Sequence, residues 1–383
     1  MDVITTTEEL NLFCANAADE DFLCVDTEFM RESTFYSQLC LIQAATTDSE
    51  AIIDPLADGI DMSAFLALLM SPTITKVMHA ARQDMEIFYM LCGGVPSPLF
   101  DTQIAAMALG FGDSCGYMAL VKGRLNILLD KGARFTDWSR RPLSEKQLSY
   151  AIGDVTHLRD LYPGMIEELK DRGRLDWVNE EMRPQLDKSL YCFEPEAAWE
   201  RLKIRNYKTP YLAVLKAAAA WREREAIARD IPRRRVLKDD SLYDLALNKP
   251  ANTKALERLR SIPRGFEKSS KASELIEAIN AALANADEYA PVVQRRKSMP
   301  PNIGAAVEML KTLLRLRTEY VDIAPRLVAN NADIEKLAAF GDKAEVAALT
   351  GWRREVFGND ALRMLDGKIT LRLEGAEVVA EAV

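Results

Sequence analysis

Apolar and polar positions follow one rhythm up to about residue 180 and another beyond it. Phe22-Leu23-Cys24-Val25 is an unbroken run of strand formers that closes on Asp26-Thr27-Glu28. Residues 34–45 and 51–54, rich in branched and aromatic side chains around the polar turn 46–50, predict two further strands, and the three read as a meander. Residues 61–70 have helical spacing, Ser71-Pro72 breaks it, and 74–80 returns as a strand. The spacing is helical again from Ala81 to Cys92, where Gly93-Gly94 closes it. A short strand at 98–101 and helices at 102–109 and 116–129 follow. A long amphipathic helix starts at Ser144, whose partner Gln147 completes a capping box, and runs to Asp171-Arg172-Gly173, whole or as a pair broken near Pro163. A strand meander followed by alternating helices and strands predicts an α/β domain with a mixed sheet flanked by helices.

Beyond residue 180 no strand is expected until the last few residues. Helical spacing at 195–202, 211–229, 241–248, 252–259 and 271–284, with polar or proline breaks between, predicts a small helical bundle. Residues 290–302 (APVVQRRKSMPPN) are rich in proline and bases and read as linker, and 303–365 is helical once more. The expected organisation is an α/β domain at 1–180, an all-α helical-bundle module at 194–285, a linker at 286–302 and a second helical module at 303–383. A chain of 383 residues fits two or three domains.

Charge sharpens this division. Residues 1–180 hold 14 Lys and Arg against 28 Asp and Glu, a net of −14, whereas the remainder is net +5. Residues 201–264 alone are net +10 and contain Arg233-Arg234-Arg235. An acidic half joined to a basic half suggests metal chemistry in one and the holding of a polyanion in the other. The six cysteines are scattered without a C-x-x-C pair and read as reduced core residues. No apolar run approaches the ~20 residues that span a bilayer, and the N-terminus lacks a signal-type block, so the expectation is a cytoplasmic protein with no membrane partner.

Candidate chemistry lies in the acids. Side chains two apart on a strand share a face, so Asp26 and Glu28 stand side by side, and hard divalent cations such as Mg²⁺ or Mn²⁺ prefer such oxygen pairs. Asp84 opens the helix entered from strand 74–80, where an α/β sheet commonly places its site. Tyr150 and Asp154, four apart, share one helix face. Singly each has an ordinary explanation: a solvated strand end, an acid favoured by a helix dipole, a half-buried helical pair.

As an ordered set, D-x-E, then a junction aspartate, then Y-x-x-x-D resembles the DEDD exonuclease superfamily, tyrosine branch, on a ribonuclease H-like fold. The histidine branch is excluded, because the two histidines are His79 and His157 and neither lies a few residues before Asp154. Gln38-Leu39-Cys40-Leu41-Ile42-Gln43, Asp101-Thr102-Gln103 and residues 137–143 (DWSRRPL) are similar to the ribonuclease D family. Residues 194–285 resemble a helicase-and-ribonuclease-D C-terminal domain, and 303–383 would be its diverged second copy. The resemblance implies a divalent-metal-dependent 3′ to 5′ exoribonuclease that uses two Mg²⁺ or Mn²⁺ ions, releases nucleoside 5′-monophosphates, and trims tRNA precursors without an obligate protein partner. It implies that Asp26 bridges the ions, that Glu28 and Asp154 complete the site of the attacking water, that Asp84 supports them, and that Tyr150 orients the water as a neutral phenol. Arg82, Arg140, Arg141, Lys146 and Arg233-Arg234-Arg235 are candidates for gripping phosphates. A DNA 3′ exonuclease of the same superfamily and a non-catalytic RNA-binding adaptor are the alternatives. An adaptor is expected to lack one of the acids or the tyrosine, and none is missing.

Overall fold

The structure is a computed structural model that describes residues 3–130, 132, 136–293 and 299–383. It divides into two units: one of Met1–Glu28, Cys40–Leu190 and Lys297–Val383, the other of Phe29–Leu39 and Tyr191–Arg296.

The first unit is built on a six-stranded sheet of β1 (Val3–Ile4), β2 (Phe22–Met30), β3 (Gln38–Ala45), β4 (Glu50–Ile53), β5 (Thr75–Met78) and β6 (Leu99–Asp101), in the order β1-β4-β3-β2-β5-β6. β3 and β4 pair antiparallel, whereas β1 with β4, β2 with β5 and β5 with β6 are parallel. Leu23, Cys24 and Val25 are fully buried on both faces of β2, as their unbroken apolar run requires of a central strand. The helices α1 (Thr7–Ala17), α2 (Ser63–Leu69), α3 (Arg82–Cys92), α4 (Thr102–Ala108), α5 (Tyr117–Leu125), α6 (Glu145–Asp171) and α7 (Leu175–Met182) complete the mixed α/β arrangement. The α6 cap forms as its sequence predicts: Ser144 Oγ accepts from the Gln147 amide at 3.3 Å, and Gln147 Oε1 accepts from the Ser144 amide at 3.0 Å. α6 then passes through Pro163 as one helix of 27 residues.

The strand expected from residue 34 begins only at Gln38. Phe35 is 4% exposed because it belongs to the apolar core of the second unit. There the Phe35 and Tyr36 amides donate to Asp230 Oδ1 at 3.0 and 3.1 Å, and the Arg233 guanidinium lies 4.3 Å from the Phe35 ring centroid. Alternation alone marked this stretch as strand; tertiary burial claims it for a helical core instead. Around it stand α8 (Thr209–Ala228), α9 (Arg233–Val236), α10 (Asp239–Asn248), α11 (Thr253–Leu256) and α12 (Ser270–Ala284). Glu223, fully buried on α8, is neutralised by Arg201 and bidentately by Arg233. Of the expected linker, Ala286–Tyr289 is a helical turn, α13, and residues 294–298 lie outside the described residues.

The last region differs from the expectation of a separate module, for its contacts fall within the first unit. Its helices are α14 (Gly304–Val321), α15 (Pro325–Val328), α16 (Asn331–Phe340), α17 (Gly351–Arg353) and α18 (Asn359–Leu365), followed by the antiparallel hairpin β7 (Ile369–Glu374) and β8 (Glu377–Ala382). Arg174, at the start of α7, donates to the carbonyls of Ala108, Val321 and Asp322. Trp352 stacks on Trp177 at 4.2 Å and 6°, and the buried Arg353 pairs with Glu180 and Glu181. A helical region with this much buried apolar and cationic surface is held by its host, whatever break the linker's composition suggests.

Candidate active site

Three acids come together from two elements. β2 presents Asp26 and Glu28 on one face, α6 brings Asp154, and one carboxylate oxygen of each lies within 4.8 Å of the others. Asp84 stands outside that oxygen cluster. It is buried in the first turn of α3, where its Oδ1 accepts from Thr27 Oγ1 at 2.5 Å. Thr27 has the opposite parity to Asp26 and Glu28, so one strand shows two acids on one face and clamps the fourth from the other.

Burial and mutual repulsion dominate the electrostatics. Burial, followed by the charges of Asp84, Asp154 and Glu28, pushes the Asp26 carboxyl well above the ordinary carboxylate range. Burial raises Asp154 to about 7. Asp84 is raised to about 6 by burial, against the lowering effect of the Thr27 hydrogen bond. Acids left in this state crowd one another and hold protons; a divalent cation among their oxygens relieves both effects, so the donor set fits a hard metal ion.

The junction that carries Asp84 is tied down from behind. Ala80 has φ +57°, and its amide and that of Ala81 donate to the Asp101 carboxylate at 3.0 Å each. Asp101, 1% exposed, also caps α4 through the Gln103 amide. The resemblance flagged Asp101 only as neighbouring text; its structural work is to hold the turn that aims α3. Tyr150 lies one helical turn before Asp154, and its ring meets that of Trp138 at 6.1 Å and 35°. Trp138 is 2% exposed and gives Tyr150 a fixed wall.

The basic candidates separate into two groups. Arg141 is not available to phosphate. Its Nε and Nη2 grip Asp54 at 2.5 and 2.7 Å, Nη2 also reaches the Cys40 carbonyl, and Nη1 donates to the carbonyls of Trp138 and Arg140. All five donors of the guanidinium are spent within the protein. Arg233 is likewise committed, to Glu223 and the Phe35 ring. Arg140 pairs with Asp137 and Lys146 with Asp130 at the surface, where such pairs are weak. Arg82 donates to the Leu190 carbonyl at 2.8 Å. Arg234 and Arg235 are exposed. The four acids and the tyrosine of the motif lie in the first unit; Arg233-Arg234-Arg235 lie in the second.

Comparisons with known proteins bear on the chain as a whole. A 3′-5′ exonuclease family model matches residues 1–170, and an HRDC domain model matches 211–279. The ribonuclease D of Nitrobacter hamburgensis is 48% identical over 379 residues, covering 99% of both chains. That of Gluconacetobacter diazotrophicus is 45% identical, covering 98% of this chain and 95% of that protein. The crystal structure of Escherichia coli RNase D, described as an exoribonuclease involved in structured RNA processing, superposes with a TM-score of 0.81 at 31% identity, covering 95% of this chain and 98% of that one.

Proposed function

The chain belongs to the ribonuclease D family and is a 3′-5′ exoribonuclease, and from that premise we propose that Asp26, Glu28 and Asp154 hold two Mg²⁺ or Mn²⁺ ions, with Asp84 completing the acidic set. The observation that carries this reading is the convergence of three carboxylate oxygens, from two segments far apart in sequence, within 4.8 Å of one another. When bound, such a metal pair supplies a deprotonated water and neutralises charge on the leaving oxygen. The protein's own part is positional. β2 fixes Asp26 and Glu28 without side-chain search, and Thr27 keeps the Asp84 carboxylate in one rotamer. Tyr150, backed by Trp138, aims its hydroxyl at the attacking water as a neutral donor and acceptor. The terminal nucleotide leaves as a nucleoside 5′-monophosphate, exposing a new 3′ hydroxyl for the next cycle.

The substrate follows from the same premise. Precursor tRNAs are the proposed RNAs, in keeping with the structured-RNA role described for the Escherichia coli relative. The exposed Arg234 and Arg235 of the base-rich second unit grip the backbone upstream. The test is to incubate 5′-labelled RNA and DNA of matched sequence with the protein, with and without chelator, and with the 3′ end free or phosphorylated. Stepwise shortening of the free RNA that chelator abolishes supports the proposal. Equal turnover of DNA, or cleavage of the blocked end, overturns it.

A further inference from the structure

Tyr117 has no part in the motif, yet it touches the helix that carries Asp154 and the residue that follows β5 on the way to Asp84. It is the first residue of α5, and its hydroxyl lies 2.9 Å from the Gly153 carbonyl and 2.8 Å from the Asp154 carbonyl, able to donate to either. Both carbonyls lie inside α6, where the helical ladder already supplies each with a backbone donor. The phenol therefore rescues no orphaned acceptor. What it does is fix the height and rotation of the one helical turn that presents Asp154. Its ring packs on His79 at 5.4 Å and 59°. His79 directly follows β5, three residues before α3 begins, and its Nδ1 lies 3.0 Å from Thr102 Oγ1, which itself donates to the Met78 carbonyl. Through its hydroxyl Tyr117 sets α6, and through its ring it abuts the turn leading to Asp84.

We infer that Tyr117 is a positioning residue for the metal-holding acids, and that its hydroxyl acts by fixing the α6 turn that carries Asp154. This rests on the assignment of Asp154 as a metal ligand. The phenol does not reach the reacting atoms in this role, so its loss weakens metal binding and turnover but leaves the grip on RNA intact.

The test uses the full-length chain and Tyr117→Phe, which removes the hydroxyl and keeps the ring against His79. Mn²⁺ binding to the RNA-free protein, read by calorimetry or by the loss of free-ion electron paramagnetic resonance signal, should weaken by roughly three- to tenfold, the range expected from one net hydrogen bond. The Mn²⁺ concentration for half-maximal hydrolysis should rise by a similar factor, kcat at fixed subsaturating metal should fall, and KM for RNA should stay within twofold. Wild-type Mn²⁺ binding in a folded Tyr117→Phe protein overturns the inference, as does a lowered melting temperature with an unchanged metal requirement, which marks the hydroxyl as purely structural. Asp154→Asn is run beside it. If that variant keeps wild-type Mn²⁺ binding, the ligand assignment itself fails and the inference with it; if only Tyr117→Phe is silent, the assignment stands and the inference alone is lost.

Discussion

Asp26, Asp84 and Asp154 retain protons in the folded, metal-free protein at pH values where an unfolded chain has lost them. For acids the sign is fixed: a folded-state pKa raised above the unfolded value makes stability fall as pH climbs between the two. With Asp84 at about 6 and Asp154 at about 7, against 3.8 for the ordinary group, melting temperature in chelator should decline as pH is raised from about 5 to about 8. Added Mn²⁺ should raise it more at pH 8 than at pH 6, because ion and proton compete for the same oxygens. Differential scanning calorimetry at the two pH values decides this; a metal-free melting temperature that rises with pH contradicts the crowding. Asp26→Asn and Asp154→Asn remove a ligand together with one repelling charge, so hydrolysis should be lost while metal-free stability at pH 8 holds or increases. Near-wild-type turnover at saturating Mg²⁺ in either variant would remove these acids from the site. Tyr150→Phe keeps the ring on Trp138 but loses the hydroxyl, and turnover should drop by about 10- to 1,000-fold with RNA affinity nearly unchanged. A matching loss of affinity would make Tyr150 a gripping residue instead. Strand and helix periodicities made Asp26 with Glu28, and Tyr150 with Asp154, legible as same-face pairs; grouping them with Asp84 into one site came from the resemblance of the ordered set. Thr27, Asp101 and Tyr117 were not legible, since each acts through a partner more than 20 residues distant, and no local pattern records such a pairing.

Most of the elements of the first unit follow from local spacing, including the capped start of α6 and the breaks at Ser71-Pro72 and Gly93-Gly94. The failures are equally physical. Residues 34–37 have strand-forming side chains, but Phe35 finds a deeper burial among helices, held by Asp230 and Arg233. The same blindness applies to Arg141, which in sequence stands beside Arg140 as an apparent pair of phosphate ligands. In the fold the two diverge: Arg140 is solvated, whereas Arg141 ties the segment carrying Trp138 to β3 and to Asp54, just beyond β4. Arg141→Ala leaves the nearly buried Asp54 carboxylate without its cation, and should cost about 2 to 4 kcal/mol. Because Trp138 backs Tyr150, turnover should fall as well, with KM for RNA nearly constant. Urea unfolding paired with steady-state kinetics separates the possibilities. A stable Arg141→Ala protein with a raised KM would restore the phosphate-gripping role.

The charge asymmetry of the chain is a statement about the binding of RNA, and the architecture dictates how to test it. Truncation after residue 180 is unsuitable, because the lost region supplies Trp352 to Trp177, Arg353 to Glu180, and the carbonyls of Val321 and Asp322 to Arg174. Cutting it away exposes apolar surface and strands buried groups, so weak binding by the fragment would report damage. Neutralising side chains in the intact protein avoids this. Arg233 is the wrong target within its cluster, since Arg233→Gln leaves the fully buried Glu223 with Arg201 as its remaining partner and should destabilise the second unit. Arg234 and Arg235 are exposed and can be changed at little structural cost. If each neutralises one phosphate of a single strand, the double variant Arg234→Gln, Arg235→Gln should reduce the slope of log affinity against log salt by about 1.4, at about 0.7 per contact. Fluorescence anisotropy in an Asp154→Asn background, which spares the RNA, gives that slope directly. On a dinucleotide, which offers the acids a single phosphodiester and no longer backbone to hold, the double variant in an otherwise wild-type chain should turn over at the normal rate. An unchanged slope would show that these two arginines do not hold the backbone, and would move the grip elsewhere on the base-rich surface.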